Sequence, residues 1–255
     1  MTLKQALNRA KRILVANNIE DASLECQLLL RHALGISRIQ LYTELNQELD
    51  HKQEAIFWSL IKRRLCGEPI AYITGHREFY GLDFYVNPNV LIPRPESELL
   101  VEKAIILAQN HPVSGIAEIG TGCGAIAISL ALNLPQAKIY ATDISASALE
   151  VALFNCQKHR VANRIHLLQG DMLDPLPEPV DLIVANLPYI KQSELRQMRS
   201  ANFEPLLALN GGSDGLKKIR QLCCQVSGKL RPQGCLLLEI GQGPGRAVTT
   251  FLRRL

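Results

Sequence analysis

Ala117-Glu118-Ile119-Gly120-Thr121-Gly122-Cys123-Gly124-Ala125-Ile126-Ala127 leads from an apolar run through a glycine-spaced turn into a second apolar run. The first part reads as a buried strand and the last as the start of an apolar helix. Glycines between them permit a tight reversal and let backbone come close to a ligand. A strand-to-helix turn needs no ligand, so the surroundings decide. The spacing is G-x-G-x-G, not the G-x-G-x-x-G that seats a dinucleotide pyrophosphate on a helix N-terminus, and no P-loop lysine follows. Glu118, Gly120, Thr121, Gly122 and Gly124 are the candidate cofactor-binding residues of this turn.

Outward from it, strands are expected at Ile116–Ile119, Lys138–Thr142, Arg164–Leu168, Val180–Ala185 and Cys235–Ile240, with helices between most of them. Such alternation predicts an α/β fold with a mostly parallel, doubly wound sheet. Asp143 closes the second of these strands, where its carboxylate can accept hydrogen bonds from two vicinal ribose hydroxyls; its structural alternative is a helix cap before Ser145 or Ser147. Gly170-Asp171-Met172 follows the third strand and could set Asp171 and the Met172 thioether against an adenine.

Asp181-Leu182-Ile183-Val184-Ala185-Asn186-Leu187-Pro188-Tyr189 is a buried strand ending in a polar-proline-aromatic turn. An amide or exocyclic amine is a poor nucleophile because its lone pair is delocalised. Asn186 can accept one hydrogen bond from a target NH2 through its side-chain oxygen, and the Leu187 carbonyl can accept the second. Together they orient the nitrogen and favour the charge that develops on it. Pro188 stiffens the turn and Tyr189 offers a ring face. Asn186, Leu187, Pro188 and Tyr189 are the candidate catalytic residues, Asn186 also facing the cofactor.

The first 75 residues read as helices. Thr2 with Gln5, and Asp50 with Gln53, form capping boxes; Asp21 can cap a helix through Leu24, Leu28 and Ala33 that stops at Gly35. A third helix through Ile56, Leu60 and Leu65 stops at Gly67-Glu68-Pro69, and the whole suits a small bundle. From Tyr72 to Asn89 aromatics spaced around Gly75, Gly81 and Pro88 predict a short β-hairpin. The division expected is a helical domain over 1–75, a hairpin linker over 76–93 and a cofactor-binding domain over 94–255.

Apolar residues make up 47% and charged residues 20% of the 255, the balance of a globular protein. No apolar run reaches membrane-span length and Met1–Ala10 lacks a signal-peptide core, so a cytoplasmic protein without membrane contact is expected. Seven cysteines without a CxxC pair and six histidines without HExxH spacing give no metal site. A net charge of +4, with Arg63-Arg64 and Arg253-Arg254 as the basic pairs and only 5% aromatics, gives no concentrated nucleic-acid groove.

The order of glycine turn, acidic strand end and Gly-Asp turn resembles class I S-adenosylmethionine methyltransferases. Over nearly the whole chain the sequence is similar to the N5-glutamine methyltransferases that modify peptide chain release factors. The resemblance lies in Arg64, Gly67-Glu68-Pro69-Ile70-Ala71-Tyr72-Ile73-Thr74-Gly75, His76-Arg77-Glu78-Phe79-Tyr80-Gly81 and Leu91-Ile92-Pro93-Arg94-Pro95-Glu96-Ser97-Glu98. It continues in Phe203-Glu204-Pro205, Ala208-Leu209 and Gly211-Gly212-Ser213-Asp214-Gly215-Leu216. It implies a helical N-terminal domain that helps dock a release factor, a hairpin linker and a class I methyltransferase domain using S-adenosylmethionine on the glutamine of a Gly-Gly-Gln loop. In that resemblance Asn186 and Leu187 hold the glutamine amide, Tyr189 flanks it and Asp143 binds the ribose; a monomer is expected.

Two departures accompany it. The family pattern is Asn-Pro-Pro-Tyr, whereas Leu187 occupies the second place here, as in ribosomal RNA adenine dimethyltransferases. Members also continue into a final antiparallel strand pair, whereas this sequence stops at Leu255 within the helix after the fifth strand, so a truncated domain is expected. The alternatives are a ribosomal-protein glutamine methyltransferase, against which Pro93-Arg94-Pro95-Glu96 speaks, an RNA or DNA amine methyltransferase, and a non-catalytic relative.

Overall fold

Helix starts written into the sequence organise Met1–Gly75, the first of two units into which the chain divides; the second is His76–Leu255. The computed structural model describes residues 1–197, 202–241, 243 and 245–252, so the Arg253-Arg254 pair and the end at Leu255 lie outside the described residues.

Helix α1 (Leu3–Ala16) opens on the Thr2–Gln5 box, α3 (Arg38–Thr43) on a Ser37–Gln40 box that the sequence reading missed, and α4 (His51–Leu65) on the Asp50–Gln53 box. Each box pairs two otherwise orphaned amides reciprocally. Helix α2 (Ala22–Leu34) stops at Gly35 in the left-handed region, but Asp21 makes no side-chain cap bond. At ψ 30 it lies outside the extended conformation that aims a capping oxygen at the first turn. The buried face of α2 is Ala22, Cys26, Leu29 and Leu30, while Leu24 is 55% exposed. Helix α4 stops before Gly67-Glu68-Pro69 as expected, and Pro69, with φ already near the helical value, leads into a further helix, α5 (Ile70–Thr74). Leu14, Leu29, Leu30, Leu41, Phe57 and Ile61 fill the core of this unit. Arg64 forks onto Glu25 at 2.7 and 3.1 Å, tying α4 to α2.

The second unit begins with the hairpin β1 (His76–Phe79) and β2 (Leu82–Tyr85), joined by Tyr80 and Gly81 at φ +52 and +70, the pair of positive angles that a tight hairpin turn needs. Phe79 and Phe84 are buried edge to face, 6.2 Å apart. The hairpin is tied to the rest of the second unit: Tyr85 N donates to Asn155 Oδ1 and Tyr85 O accepts from Asn155 Nδ2, at 2.8 and 2.9 Å, on α8 (Ala146–Lys158).

A short 3-10 turn, Pro95–Ser97, enters α6 (Glu98–Asn110). The strands are β3 (Gly115–Ile119), β4 (Lys138–Asp143), β5 (Ile165–Gln169), β6 (Val180–Asn186) and β7 (Leu230–Glu239), with α7 (Ala125–Asn133) after β3. They form one parallel sheet in the order β5-β4-β3-β6-β7. Residues 192–195, 206–209 and 217–225 form α9, α10 and α11 after β6, and 245–252 form α12. The chain winds outward from β3 to β5 and then returns to β6 on the other side of β3. A crevice therefore opens between the carboxyl ends of β3 and β6, where such sheets bind ligands.

Candidate active site

After Ile119 the chain reverses through Gly120, Gly122 and Gly124 at φ +73, +56 and +83, angles that residues with a Cβ rarely adopt. Gly120 N and Thr121 N both donate to Thr142 O at 2.9 Å, and Gly122 N donates to Asp143 Oδ2 at 2.9 Å. Beneath the turn Glu118 Oε2 accepts from Thr121 Oγ1 at 2.6 Å and from Ala127 N, in the first turn of α7, at 3.0 Å. Burial pushes the Glu118 carboxyl up to about 8 against those two hydrogen bonds, with the Asp143 charge adding to the rise. The amides of Gly120, Thr121, Gly122 and Ala127 are thus engaged within the protein, and a buried carboxyl lies at the helix start. The donor set fits a cofactor without phosphate.

A cavity in the crevice is lined by Gly120, Gly122, Asp143, Met172, Asn186 and Leu187, among others. Asp143 Oδ1 accepts from Ser145 N at 2.9 Å and Oδ2 from Gly122 N, so each oxygen keeps a lone pair for a hydroxyl. Asp143 is not the helix cap: Ser145 caps α8, its hydroxyl accepting from Ala148 N at 3.2 Å, while Asp143 lines the cavity. Burial raises its pKa, opposed by the Ser145 and Gly122 hydrogen bonds. Met172 lines the cavity at φ +53 with its carbonyl accepting from Thr142 Oγ1 at 3.0 Å. Asp171 also reaches the wall, but its carboxylate accepts from Gln221 Nε2 at 2.6 Å. Glu118, Thr121 and Gly124 are not part of the wall: the first two hold the turn from below. A Cβ at Gly124 would stand 3.2 Å from Ile128 Cδ1 and 3.4 Å from Ala152 Cβ, so that glycine serves close packing.

Asn186, Leu187 and Pro188 line the cavity opposite the glycine turn. Leu187 is 4% exposed, and its Cδ2 lies 3.5 Å from where a Gly120 Cβ would stand. Side-chain packing against the turn thus restrains the backbone that a proline ring would otherwise fix. Tyr189 stands outside the wall: its hydroxyl donates to Glu239 Oε1 at 3.4 Å, and its pKa is raised by burial and by the Glu239 charge. The Gly211–Gly215 motif folds over the same backbone. A Cβ at Gly211 would be 2.7 Å from Tyr189 Cα and 2.8 Å from Pro188 O. Arg94 pairs at 2.6 Å with buried Glu204, whose other oxygen accepts from Ile92 N at 3.3 Å, fixing the segment that leads into the wall residues Pro205, Leu207 and Ala208.

Family models for the PrmC N-terminal domain and the methyltransferase small domain match residues 5–75 and 96–203. A release factor glutamine methyltransferase of Moorella thermoacetica is 46% identical over 255 residues, 99% of this chain and 90% of the relative. The chain belongs to the release factor glutamine methyltransferases. Relatives of the same name from Koribacter versatilis and Bordetella pertussis are 40% and 41% identical, over 99% and 91% of this chain and 91% and 86% of theirs. As a release factor glutamine methyltransferase it is an enzyme with the class I methyltransferase fold, which is the fold class and family expected from its sequence. Among the described residues no helix is long and apolar enough to cross a membrane, and no three His, Cys, Asp or Glu side chains gather as metal ligands would. Glutamine methyltransferase sequence motifs pointed to Arg94, Ser97, Glu204 and Gly211 without a role; the structure places all four around the site. Glu239, which no motif marked, joins them.

Proposed function

We propose that this chain transfers the methyl group of S-adenosylmethionine to the side-chain amide of the glutamine in the Gly-Gly-Gln loop of peptide chain release factors. The observation that carries this reading is the meeting of Asn186-Leu187-Pro188 with Gly120, Gly122 and Asp143 across one crevice. A site for an amide hydrogen-bonding target and a site for a phosphate-free nucleoside therefore share one cavity.

Asp143 accepts the ribose hydroxyls, and Met172 gives an apolar surface for adenine. S-adenosylmethionine supplies an electrophilic methyl group on a sulfonium. Asn186 Oδ1 and the Leu187 carbonyl accept the two hydrogens of the glutamine NH2, so the nitrogen presents its lone pair as it leaves planarity. Both acceptors stabilise the positive charge that grows there, and no base is required before attack: the N–CH3 bond forms as the S–CH3 bond breaks, the sulfur leaves as a neutral thioether, and the nitrogen then sheds one proton to water. Pro188 and the Gly211–Gly215 loop hold these acceptors still, and Tyr189 supports them from the side. Met1–Gly75 holds none of the site residues and serves to engage the release factor. The protein works as a cytoplasmic monomer with no direct contact to nucleic acid or membrane.

Incubation with methyl-labelled S-adenosylmethionine and a purified release factor tests this, using the same factor with Gln→Ala in its Gly-Gly-Gln loop as the control. Label in the first alone is expected; equal label in both overturns the substrate.

A further inference from the structure

The hydrogen-bonding direction of Asn186 is set by two residues outside the cavity wall. Parallel register pairs Asn186 with Glu239 at the carboxyl ends of β6 and β7. Ser97, 3% exposed at the end of the 3-10 turn before α6, stands between their side chains. Asn186 Nδ2 donates to Ser97 Oγ at 2.7 Å, and Ser97 Oγ donates to Glu239 Oε2 at 2.6 Å. Tyr189 OH donates to the other carboxylate oxygen at 3.4 Å.

Proton counting makes this chain directional. A carboxylate offers only lone pairs, and a hydroxyl has one proton. Ser97 must give that proton to Glu239 and can offer Asn186 nothing but a lone pair. Only the NH2 end of Asn186 satisfies it; a turned carboxamide would set oxygen against oxygen in a buried place. Carboxamide orientation is otherwise a free two-way choice, and the wrong choice would put NH2 where a substrate NH2 must be accepted.

We propose that Ser97 and Glu239 are positioning residues that lock the Asn186 carboxamide with its Oδ1 toward the methyl-accepting nitrogen. This rests on the role given to Asn186 above. In methylation assays with a release factor, Ser97→Ala and Glu239→Met should each lower kcat at least about tenfold with KM for S-adenosylmethionine little changed. The double variant should be no slower than the worse single one, because both break one chain, and Ser97→Thr should restore most of the rate. Unchanged kcat in Ser97→Ala, or losses that multiply in the double variant, would overturn the relay. A second readout does not depend on turnover: the side-chain amide signals of Asn186 in nitrogen-15 NMR, assigned by their loss in Asn186→Ala. Both single variants should shift those signals and speed their exchange with water. If the wild type leaves release factor unmethylated, the functional reading fails, while signals unmoved in both variants refute the relay itself.

Discussion

Glu118→Gln isolates the energetic cost of placing a carboxyl beneath the glycine turn. Glutamine can keep the acceptor that Thr121 Oγ1 and Ala127 N use, but it cannot ionise. In the folded chain Glu118 titrates at about 8 against an ordinary 4.5, because burial penalises its charge. A raised folded pKa means that folding takes up a proton between those two values. The stability contributed by the protonated group is complete below about pH 4.5 and is lost as pH rises through about 8. At about 1.4 kcal/mol per unit, the loss is on the order of 5 kcal/mol. Amide hydrogen exchange of β3 and α7, compared between wild type and Glu118→Gln at the same pH, cancels the intrinsic base catalysis of exchange. Protection should be similar near pH 5 and favour the glutamine variant increasingly toward pH 8. A difference that stays constant over that range, or a wild type that gains on the variant, would refute the assignment of a buried, protonated Glu118.

Three further outcomes follow from the geometry. Asp143→Ala should weaken S-adenosylmethionine binding at least about tenfold in calorimetry, since it removes the acceptor facing the cavity; undiminished affinity would remove Asp143 from the cofactor site. Gly211→Ala, with its new Cβ 2.7 Å from Tyr189 Cα, should cost about 2 kcal/mol in urea unfolding and slow turnover as well. Asn186→Ala should lower kcat/KM at least about tenfold, roughly 1.4 kcal/mol of transition-state stabilisation, and an unchanged value would end its catalytic role.

Local signals in the chain carried the architecture. The strand expected at Val180–Ala185 is found at Val180–Asn186, and the Thr2 and Asp50 boxes start their helices as read, because periodicity and capping act over a few residues. Helix α2 defeated the same logic: Ala22, Leu24, Cys26, Leu28, Leu29 and Leu30 surround it, so its stripe cannot be told from sequence, and packing buries one set while Leu24 faces solvent. Helices α3 and α5, of 6 and 5 residues, are too short for a period to show in the sequence, although Ser37 and Gln40 advertise the first.

The cavity wall was legible to the extent that it follows strand ends. Gly120, Asp143, Met172, Asn186 and Leu187 all sit where parallel strands stop. What supports the wall was not. Ser97 meets Glu239 and Asn186 across 142 and 89 positions of sequence, through sheet register and the entry of α6, and nothing local in the chain announces such a meeting. Glu118, a carboxylate beside a glycine turn, reads from sequence as a cofactor ligand, whereas the fold buries it under the turn and outside the cavity wall.

The most direct test of the central claim is tandem mass spectrometry of a release factor after incubation with this chain and S-adenosylmethionine. The account predicts one added methyl group, located on the side chain of the glutamine in the Gly-Gly-Gln loop. A methyl group found on another residue, or an unmodified glutamine after prolonged incubation with active cofactor, would contradict it.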